Sequence, residues 1–349
     1  MTNILGLTPP ELALFLTEMN LPASVLPRLL KALYRVGVDS LEECSDLSIK
    51  AKSKLAEKAT AEVPKMLHEY LSSDGQTRKV LFEFSDGNVV ETVLMSALTS
   101  AGRWKSTICV STQVGCAIGC PFCATGQQGY TRNLTTAEII GQIVFFTRRL
   151  RQSKPGERFP TNLVFMGMGE PLLNFEAVRR AIDIAGSGFA LGASKIMLSS
   201  AGIVPQIRQL SKAPVAFELA VSLHSATNKL RNRLVPINCK YPIEELIDAC
   251  REYTMRTKRR VYMEYALFRG VNDSHDDADA LLKLLSDLPC AVNLLIGNPS
   301  QSNEYVGSSV ETAWAFQARL VSGGLRAMLR VARGTDIDAG CGQLRARTN

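Results

Sequence analysis

Residues 107–123 read TICVSTQVGCAIGCPFC, a strand-like run that passes directly into a loop with three cysteines. Cys116, Cys120 and Cys123 have the spacing C-x3-C-x2-C, which places three thiolates in one tight loop. Thiolates are the usual protein ligands of iron–sulfur clusters. Three of them leave one iron of a cubane cluster without a protein ligand, so that this iron is free to bind a small molecule. The stretch therefore predicts a 4Fe–4S cluster with an open site at the end of a strand.

The same spacing is typical of enzymes that reductively cleave S-adenosylmethionine (SAM). The alternative is a structural zinc site, which usually closes with a fourth cysteine or histidine from a second paired motif. The sequence contains no such pair, and its three histidines are His68, His224 and His275. The spacing therefore favours the cluster over zinc.

The composition indicates a soluble globular protein, since 46% of the 349 residues are hydrophobic and 21% are charged. The apolar runs are too short to span a bilayer, and the N-terminal run MTNILGLTPPELALFL has neither a basic start nor a small-residue cleavage site. An odd total of nine cysteines argues against a disulfide scaffold. We therefore expect a protein of a reducing compartment, the cytoplasm.

The net charge of +7 is unevenly distributed. Residues 101–160, which include the cysteine loop, carry eight basic side chains (Arg103, Lys105, Arg132, Arg148, Arg149, Arg151, Lys154 and Arg158) against Glu138 and Glu157. Two further basic segments are 229–260 and the C-terminal region with Arg326, Arg330, Arg333, Arg345 and Arg347. Such clusters suit a polyanionic substrate such as nucleic acid, although ordinary helices also expose Lys and Arg. Charge alone leaves both interpretations open.

The chain divides into three regions by pattern. Residues 1–75 show apolar positions at helical spacing and predict a small helical domain, with SSDGQ at 72–76 as a linker. Residues 76–106 contain two alternating runs around Asp86-Gly87, which predict a β-hairpin. A capping box, Thr135-x-x-Glu138, predicts the start of a helix soon after the cysteine loop.

Residues 107–349 alternate between strand and helix patterns, which implies a parallel sheet. Predicted strands lie at 107–115, 162–167, 195–200, 217–224, 261–267, 291–296 and 325–332. Predicted helices lie near 174–186, 204–211, 243–255, 275–287 and 309–322. Seven nearly continuous apolar strands suit a partial barrel, and in such barrels the chemistry lies at the carboxyl ends of the strands. The cysteine loop follows the first strand, where this rule requires it.

Polar groups follow several of these strands. Gly169-Glu170 comes after the second strand, and Ser199, Ser222-Leu223-His224 and Asn298 come at the ends of others. Each alone is unremarkable, since Gly, Ser and Asn favour turns. Together they place four sets of polar groups at one edge of the sheet, an arrangement suited to gripping a cofactor.

Two further cysteines differ from the rest by their context. Cys341 lies between two glycines in GTDIDAGCGQL, so we expect an exposed and mobile thiol. Cys109 lies within the first barrel strand, where a buried, unreactive thiol is the plainer interpretation.

The sequence resembles the RlmN/Cfr family of radical-SAM RNA adenine methyltransferases over nearly its whole length. The similarity is carried by CVSTQVGCAIGCPFCATGQQGYTRNLT (109–135), FMGMGEPLLN (165–174), SLHSATNKLRNRLVPIN (222–238), EYALFRGVND (264–273) and GTDIDAGCGQL (334–344). A generic radical-SAM enzyme would share the cluster loop but not the last segment. The resemblance implies an α/β fold, a radical-SAM partial (βα)6 barrel with a small helical N-terminal domain and a β-hairpin extension.

The resemblance also implies a role for each matched residue. Cys116, Cys120 and Cys123 would hold a 4Fe–4S cluster whose open iron chelates SAM. The positions that match SAM contacts in the family are Gly169, Glu170, Ser199, Ser222, Leu223, His224 and Asn298. One SAM would methylate Cys341, and a second would be cleaved to a radical that activates the S-methyl group, whose carbon adds to adenine. Cys109 matches the cysteine that resolves the adduct through a transient disulfide with Cys341, and Glu91 matches the proposed proton acceptor.

Within the family, methylation occurs at carbon 2 (RlmN) or carbon 8 (Cfr) of adenine, and GMGEPLLN is closer to the carbon-2 enzymes. The implied partners are 23S rRNA and, as in some members, tRNA, together with a reductant such as flavodoxin or ferredoxin, with a monomeric enzyme and no membrane. The alternatives are a carbon-8 enzyme and a non-catalytic iron–sulfur RNA-binding protein. ASVLPRLL (23–30), LSSAG (198–202) and NLLIGNPSQ (293–301) depart from the usual family segments and bear on the RNA target.

Overall fold

The computed structural model describes residues 1–38, 40–99, 101–153, 160–212, 216–298 and 304–346. Its strands are β1 (Thr2–Asn3), β2 (Ala59–Thr60), β3 (Lys65–Leu71), β4 (Thr77–Glu83), β5 (Val89–Leu98), β6 (Trp104–Cys109), β7 (Gln113–Gly115), β8 (Tyr130–Asn133), β9 (Asn162–Phe165), β10 (Ile196–Ser200), β11 (Glu218–Ser222), β12 (Val261–Leu267), β13 (Cys290–Ile296) and β14 (Ala327–Arg330). Its α-helices are α1 (Pro9–Glu18), α2 (Val25–Leu30), α3 (Ile49–Lys58), α4 (Ala124–Gln127), α5 (Thr136–Ser153), α6 (Phe175–Ser187), α7 (Val204–Leu210), α8 (Asn228–Leu234), α9 (Ile243–Thr257), α10 (His275–Leu285) and α11 (Val310–Ser322).

The centre of the molecule is a sheet in which β6, β9, β10, β11, β12, β13 and β14 lie side by side and run parallel. Helices connect each of these strands to the next, and because the strands follow one another in a single direction across the sheet, right-handed crossovers place these helices on its outer face. Accordingly, Val261, Met263 and Leu267 of β12 are fully buried. The six crossovers between seven parallel strands form the predicted partial (βα)6 barrel.

The sequence locates these barrel elements well. The strands predicted between 162 and 332, and the helices between them, agree with the structure to within two residues at either end. The capping box also forms, because the Thr135 amide donates to Glu138 Oε2 at 2.7 Å and the Glu138 amide donates to Thr135 Oγ1 at 3.2 Å. The helix α8 was not predicted.

An antiparallel extension continues the sheet through β5, β4 and β3. The predicted hairpin turn at Asp86-Gly87 joins β4 to β5, with Gly87 at φ 78° and its amide donating to the Phe84 carbonyl at 3.0 Å. Antiparallel pairing of these strands therefore confirms the predicted hairpin.

The helix predicted to continue through residue 71 is wrong. The helix α3 ends at Lys58, and residues 65–71 form β3, which pairs with β4. Pro64 excludes a helix that runs on into residues 65–71, since proline cannot continue a helix and holds its preceding residue in an extended conformation. Residues 72–76 are consequently the turn between β3 and β4, where the Ser72 amide donates to the Thr77 carbonyl at 2.9 Å.

The single strand predicted at 107–115 is also wrong, because it is two strands. The strand β6 ends at Cys109, and β7 pairs antiparallel with β8 in a separate two-stranded ribbon. Between the two strands, the buried Gln142 amide bonds to Ser111 and replaces the missing ladder contacts: its Oε1 accepts from the Ser111 amide and its Nε2 donates to the Ser111 carbonyl. The ribbon carries the chain away from the sheet and into the cysteine loop.

The N-terminal helices pack directly on the barrel helices. Tyr34 is buried against Phe189, with 5.1 Å between ring centroids, and Arg180 of α6 bonds to Glu11 at 2.7 Å. Apolar side chains of both regions belong to one continuous hydrophobic cluster. The division of the chain at residues 75 and 106 stays a prediction.

Among the described residues, no helix combines the length and the apolar character that crossing a membrane requires.

Candidate active site

The cysteine loop lies between β7 and α4, and two glycines set its shape. Gly115 has φ 72°, and a Cβ there would lie 1.9 Å from the Gly129 carbonyl oxygen. A Cβ on Gly126 would lie 2.9 Å from the backbone N and O of Cys120. Neither position has room for a side chain, so the backbone can close tightly around the three thiols.

The three cysteines line one open cavity of about 190 Å³ at the carboxyl ends of the barrel strands. The predicted residues that also line this cavity, here called the cluster cavity, are Gly169, Glu170, Ser199, Ser222, His224, Asn298 and Cys341. Leu223 does not line it; its side chain is fully buried and its carbonyl accepts a bond from Arg231 Nε at 3.1 Å. The structure thus brings together all but one of the predicted cluster and SAM residues.

The donor chemistry of the cavity fits an iron–sulfur cluster. Burial raises the pKa of the Cys116 thiol to about 12 and raises the pKa of Cys120 and Cys123 as well, so the free thiols hold their protons at neutral pH. Bound iron replaces such protons. No three His, Cys, Asp or Glu side chains in the described ranges converge on a single ion. A cubane cluster has no need of such convergence, because it binds each thiolate through a different iron.

Glu170 joins two strand ends at the wall of the cavity. Its Oε1 accepts from the Leu172 amide at 3.0 Å and its Oε2 accepts from the Ala201 amide at 2.7 Å. Burial raises the pKa of this carboxyl to about 7, against the opposing effect of the two amides. Gly169 before it has φ 102°, a conformation that favours glycine.

His224 is held as a neutral ring in one tautomer. Its Nδ1 accepts from the Ala266 amide at 2.9 Å, so the ring proton lies on Nε2. Burial, together with the smaller effect of the Arg231 charge, lowers the pKa of His224 to about 3. The ring therefore stays neutral at physiological pH.

Cys341 lines two cavities at once. The second cavity, of about 300 Å³ and here called the inner cavity, is lined by Cys341 and by Cys109 of β6. Asn298 Nδ2 donates to the Cys341 carbonyl at 3.0 Å. Both thiols are free, and desolvation raises the pKa of Cys341 to about 11 although the residue as a whole is exposed. Cys109 is buried, as the sequence predicted for a thiol within a strand. It nevertheless lines the same cavity as Cys341.

The segment after Cys341, residues 342–346, is bonded to the helix α4 that follows the cysteine loop. The Ala124 amide donates to the Gly342 carbonyl at 2.7 Å, and Thr125 Oγ1 donates to the Leu344 carbonyl at 2.5 Å. Gln128 Nε2 donates to the Ala346 carbonyl at 3.2 Å. These contacts fix the position of Cys341 relative to Cys123.

Comparison with known proteins identifies the family to which this chain belongs. Residues 110–283 match the model of the Radical SAM superfamily. A protein of Moorella thermoacetica named "Probable dual-specificity RNA methyltransferase RlmN" is 44% identical over 347 residues, which cover 98% of this chain and 97% of that relative. The chain belongs to the RlmN family of radical SAM RNA methyltransferases.

A second relative and one solved structure agree with this assignment. A "Dual-specificity RNA methyltransferase RlmN" of Psychrobacter arcticus is 40% identical, with 98% of this chain and 87% of that relative covered. The crystal structure of a radical SAM methyltransferase from Sphaerobacter thermophilus superposes with a TM-score of 0.92 at 41% identity, over 99% of this chain and 100% of that one. The family resemblance, the radical SAM fold and the enzyme class are thereby confirmed, and the family implies a 4Fe–4S cluster and SAM.

Glu91, the third catalytic residue predicted from the RlmN resemblance, lines neither cavity. It is buried, with Oε1 paired to Lys79 Nζ at 3.1 Å and Oε2 accepting from the Arg345 amide at 2.8 Å. Burial raises the pKa of Glu91, and Lys79 opposes this rise. Its carboxylate thus connects the hairpin extension to the C-terminal segment.

Two charged residues of this RlmN-family site escaped the sequence reasoning. Glu264 of β12 lines both cavities and accepts a bond from Asn293 Nδ2 at 2.7 Å. A single acidic residue within the apolar strand VYMEYAL was the signal that could have found it. Arg231 of α8 is fully buried behind the cavity wall. No sequence signal separates it from the exposed basic residues around it.

Much of the positive charge counted in the sequence is paired. Arg132 bonds to Asp86 and Glu138, and Arg149 bonds to Glu69 at 2.6 Å. The exposed basic side chains in these segments include Arg103, Lys105, Arg260 and Arg326. Lys154, Arg158 and Arg347 lie outside the described residues, as do residues 299–301 of NLLIGNPSQ.

Proposed function

We propose that this enzyme methylates carbon 2 of an adenine in 23S rRNA, and also in tRNA, by way of an S-methylated Cys341. The observation that carries the proposal is the placement of Cys341 on both the cluster cavity and the inner cavity. One thiol can then receive a methyl group from SAM and present it to a base, which makes the second step effectively intramolecular. The relatives named dual-specificity RNA methyltransferases support both RNA classes.

The cluster and two SAM molecules would supply a methyl group and a primary carbon radical. Cys116, Cys120 and Cys123 hold the cluster, and the strand ends around Glu170 and His224 orient SAM. Cys109 then resolves the adduct between Cys341 and the base, forming a transient disulfide. A reductant such as flavodoxin or ferredoxin supplies electrons to a monomeric enzyme in the cytoplasm.

Glu91 is proposed as the proton acceptor for the carbon being methylated. Because the Arg345 amide and Lys79 occupy its carboxylate, this role requires the C-terminal segment to release Glu91 before the proton is taken. Movement of the same segment would also shift Cys341, which lines both cavities.

The deciding experiment is anaerobic turnover of the loaded enzyme with 23S rRNA and tRNA separately, followed by mass spectrometry of the digested RNA. We expect 2-methyladenine in both RNAs and a C-terminal peptide that is heavier by one methyl group. Cys341→Ala should abolish both while the cluster absorbance persists, whereas Cys239→Ala, at an exposed cysteine, should retain full activity. Undiminished product from Cys341→Ala would overturn the proposal, and 8-methyladenine would assign the enzyme to the carbon-8 type.

The role of Cys109 has a separate readout. Cys109→Ala should trap a protein–RNA crosslink that migrates as a shifted species on a denaturing gel. RNA binding by the same variant should weaken as salt rises, because phosphate contacts release counterions. A clean absence of any shifted species would remove Cys109 from the mechanism. In the turnover experiment, a cluster-bearing protein that forms no methylated RNA would favour the non-catalytic alternative.

A further inference from the structure

Arg231 of α8 is a fully buried arginine without an acidic partner. Its guanidinium donates four hydrogen bonds, all to neutral oxygens: Nε to the Leu223 carbonyl at 3.1 Å, Nη1 to Asn238 Oδ1 at 2.7 Å, and Nη2 to the Ala201 and Ser222 carbonyls at 2.7 and 3.0 Å. Within the described part of the chain it forms no ion pair. Buried charges are normally paired, so this one calls for an explanation.

The position of Arg231 shows where its counter-charge belongs. Ala201 and Ser222, two of its acceptors, line the cluster cavity, so the guanidinium lies directly behind that wall. Burial lowers the pKa of Arg231 to about 10, so the group is still charged at neutral pH. The side chain thus carries one positive charge behind the wall of the cavity that the three cysteines line, and these cysteines become anionic when they bind iron.

We propose that Arg231 is a positioning residue whose charge balances the three cluster thiolates and raises the reduction potential of the cluster. The inference rests on the cluster site given under the proposed function. Reduction adds one negative charge to the cluster, and a buried positive charge close by stabilises that state more than the oxidised one. In the low-dielectric interior this effect is strong, because water does not screen it.

A purely structural role is the competing explanation. Arg231 ties the end of β10 to the end of β11, and Ala201 in turn donates to Glu170. Loss of these bonds would disturb the SAM-binding edge of the cavity whether or not the charge matters. Variants that separate charge from bonding therefore decide between the two roles.

The test compares Arg231→Gln, Arg231→Met and Arg231→Lys as full-length proteins reconstituted anaerobically with iron and sulfide. Gln keeps some donor capacity without the charge, Met fills the space without either, and Lys keeps the charge with a different bonding geometry. The readouts are the iron and sulfide content, SAM affinity, and the midpoint potential from an EPR-monitored titration. Arg259→Gln is the control, since Arg259 precedes β12 at the opposite edge of the sheet and pairs with Glu218.

At the wild-type midpoint potential, we expect the ratio of reduced to oxidised cluster to fall at least tenfold in Arg231→Gln and Arg231→Met. This corresponds to a potential about 59 mV lower for a one-electron couple. Arg231→Lys should stay within threefold of the wild type, and Arg259→Gln should be unchanged. If a neutral variant does not fold, the Lys variant alone tests the inference. A wild-type ratio of reduced to oxidised cluster together with weakened SAM binding would show that the charge of residue 231, and not its hydrogen bonds, sets the potential.

Two results would overturn the inference, namely a neutral variant with the wild-type potential, or a Lys variant shifted as far as the neutral ones. Both leave the proposed function intact. A wild-type protein that binds no iron and sulfide would instead remove the cluster site itself.

Discussion

Glu170 is the residue with the most connections at the cluster cavity, since one carboxylate bridges amides from two strand ends. The third contact of this residue, from its own amide to Gln113 Oε1 at 2.8 Å, connects it to the ribbon that leads into the cysteine loop. A change in its charge therefore acts on the geometry and on the electrostatics of the cavity together.

The raised pKa of Glu170, about 7, predicts a pH dependence of SAM binding. A carboxyl with a raised pKa is protonated below that value and ionised above it, and only the ionised form attracts the ammonium group of SAM. Affinity should therefore fall as the pH drops from 8 to 6, by up to about tenfold per unit below the pKa. Equilibrium binding by calorimetry measures this directly.

Glu170→Gln is the matched variant, because it keeps the shape and removes the titration. Its SAM affinity should be weaker at pH 8 and nearly independent of pH. Glu264→Gln, at the other buried carboxylate of the cavity, should retain the wild-type profile. A wild-type affinity that is flat between pH 6 and 8 would contradict the assigned role of Glu170.

At the scale of single residues, the sequence predicted the site residues that can be recognised from local spacing. Cys116, Cys120 and Cys123 are fixed by their separation along the chain, and Glu170 and His224 by their positions after strands. Arg231 and Glu264 could not be placed, because their roles depend on burial between elements that are distant in the sequence. Leu223 matched by position but turned its side chain into the core.

At the scale of elements, the turn that follows β9 lies in close contact with the backbone at the end of β6. A Cβ on Gly167 would lie 2.6 Å from the Val110 carbonyl oxygen, and the Gly167 amide donates to that oxygen at 3.1 Å. Only a residue without a side chain permits this approach.

Gly167→Ala should therefore destabilise the fold by about 1–3 kcal/mol through overpacking, and it should weaken SAM binding because the turn lines the cluster cavity. Urea unfolding and SAM titration measure the two effects. Gly192→Ala is the control, since Gly192 has φ −69° and no atom lies within 4 Å of its added Cβ. Equal stabilities of the two variants would show that the close approach has no energetic consequence.

The hairpin extension makes a second connection, through Lys79 on β4. Its ammonium bonds to Glu91 at 3.1 Å and to the Asp338 carbonyl at 3.2 Å, and it lies 5.1 Å from the centroid of the Tyr70 ring. This buried ion pair holds strand and C-terminal segment together.

Lys79→Met should cost about 3–5 kcal/mol, because it leaves the Glu91 carboxylate buried without its partner. It should also speed hydrogen exchange in residues 338–345, which the pair restrains. Lys65→Met breaks an exposed pair with Glu83 on the same extension and should cost less than about 1 kcal/mol. Unchanged exchange at the C-terminal segment in Lys79→Met would mean that other contacts hold it.

The elements were predicted where one pattern dominated and missed where two patterns competed. Strands β9 to β14 read as apolar runs between helices, and they were located closely. Residues 65–71 carry apolar side chains compatible with a helix, and pairing with β4 decided otherwise. The break between β6 and β7 depends on Gln142, a contact that local sequence does not reveal.

On the scale of the whole molecule, the N-terminal helices and the barrel share one apolar core. Tyr34 in the first region packs on Phe189 after α6, and a Cβ on Gly6 would lie 3.0 Å from the Ala137 amide nitrogen at the start of α5. Such close contact predicts that the two regions unfold together.

Tyr34→Ala tests this coupling, since it should cost about 3–5 kcal/mol by leaving a cavity at the contact. We expect one cooperative transition at a lower midpoint, with coincident curves from helical circular dichroism and from the fluorescence of Trp104 on β6. Trp314→Ala, at a side chain 60% exposed, should stay within about 0.5 kcal/mol of the wild type. Two separate transitions, with the Trp104 signal unmoved, would instead indicate independent domains.

The fold class was predictable from the alternation of strand and helix, because neighbouring parallel strands need long crossover connections, which are usually helices. The partial barrel and the hairpin extension followed from that alternation and from the turn at Asp86-Gly87. The tight packing of the N-terminal helices was beyond prediction, since it depends on surfaces that meet only in three dimensions.

The bonds between residues 342–346 and the helix α4 have a practical consequence. Any loss of order in the cysteine loop removes the supports of that segment as well, so the peptide becomes a substrate for carboxypeptidase. If the cysteine loop loses order when iron is absent, carboxypeptidase should trim iron-free molecules faster than loaded ones, and equal rates would show that the loop keeps its order without the cluster.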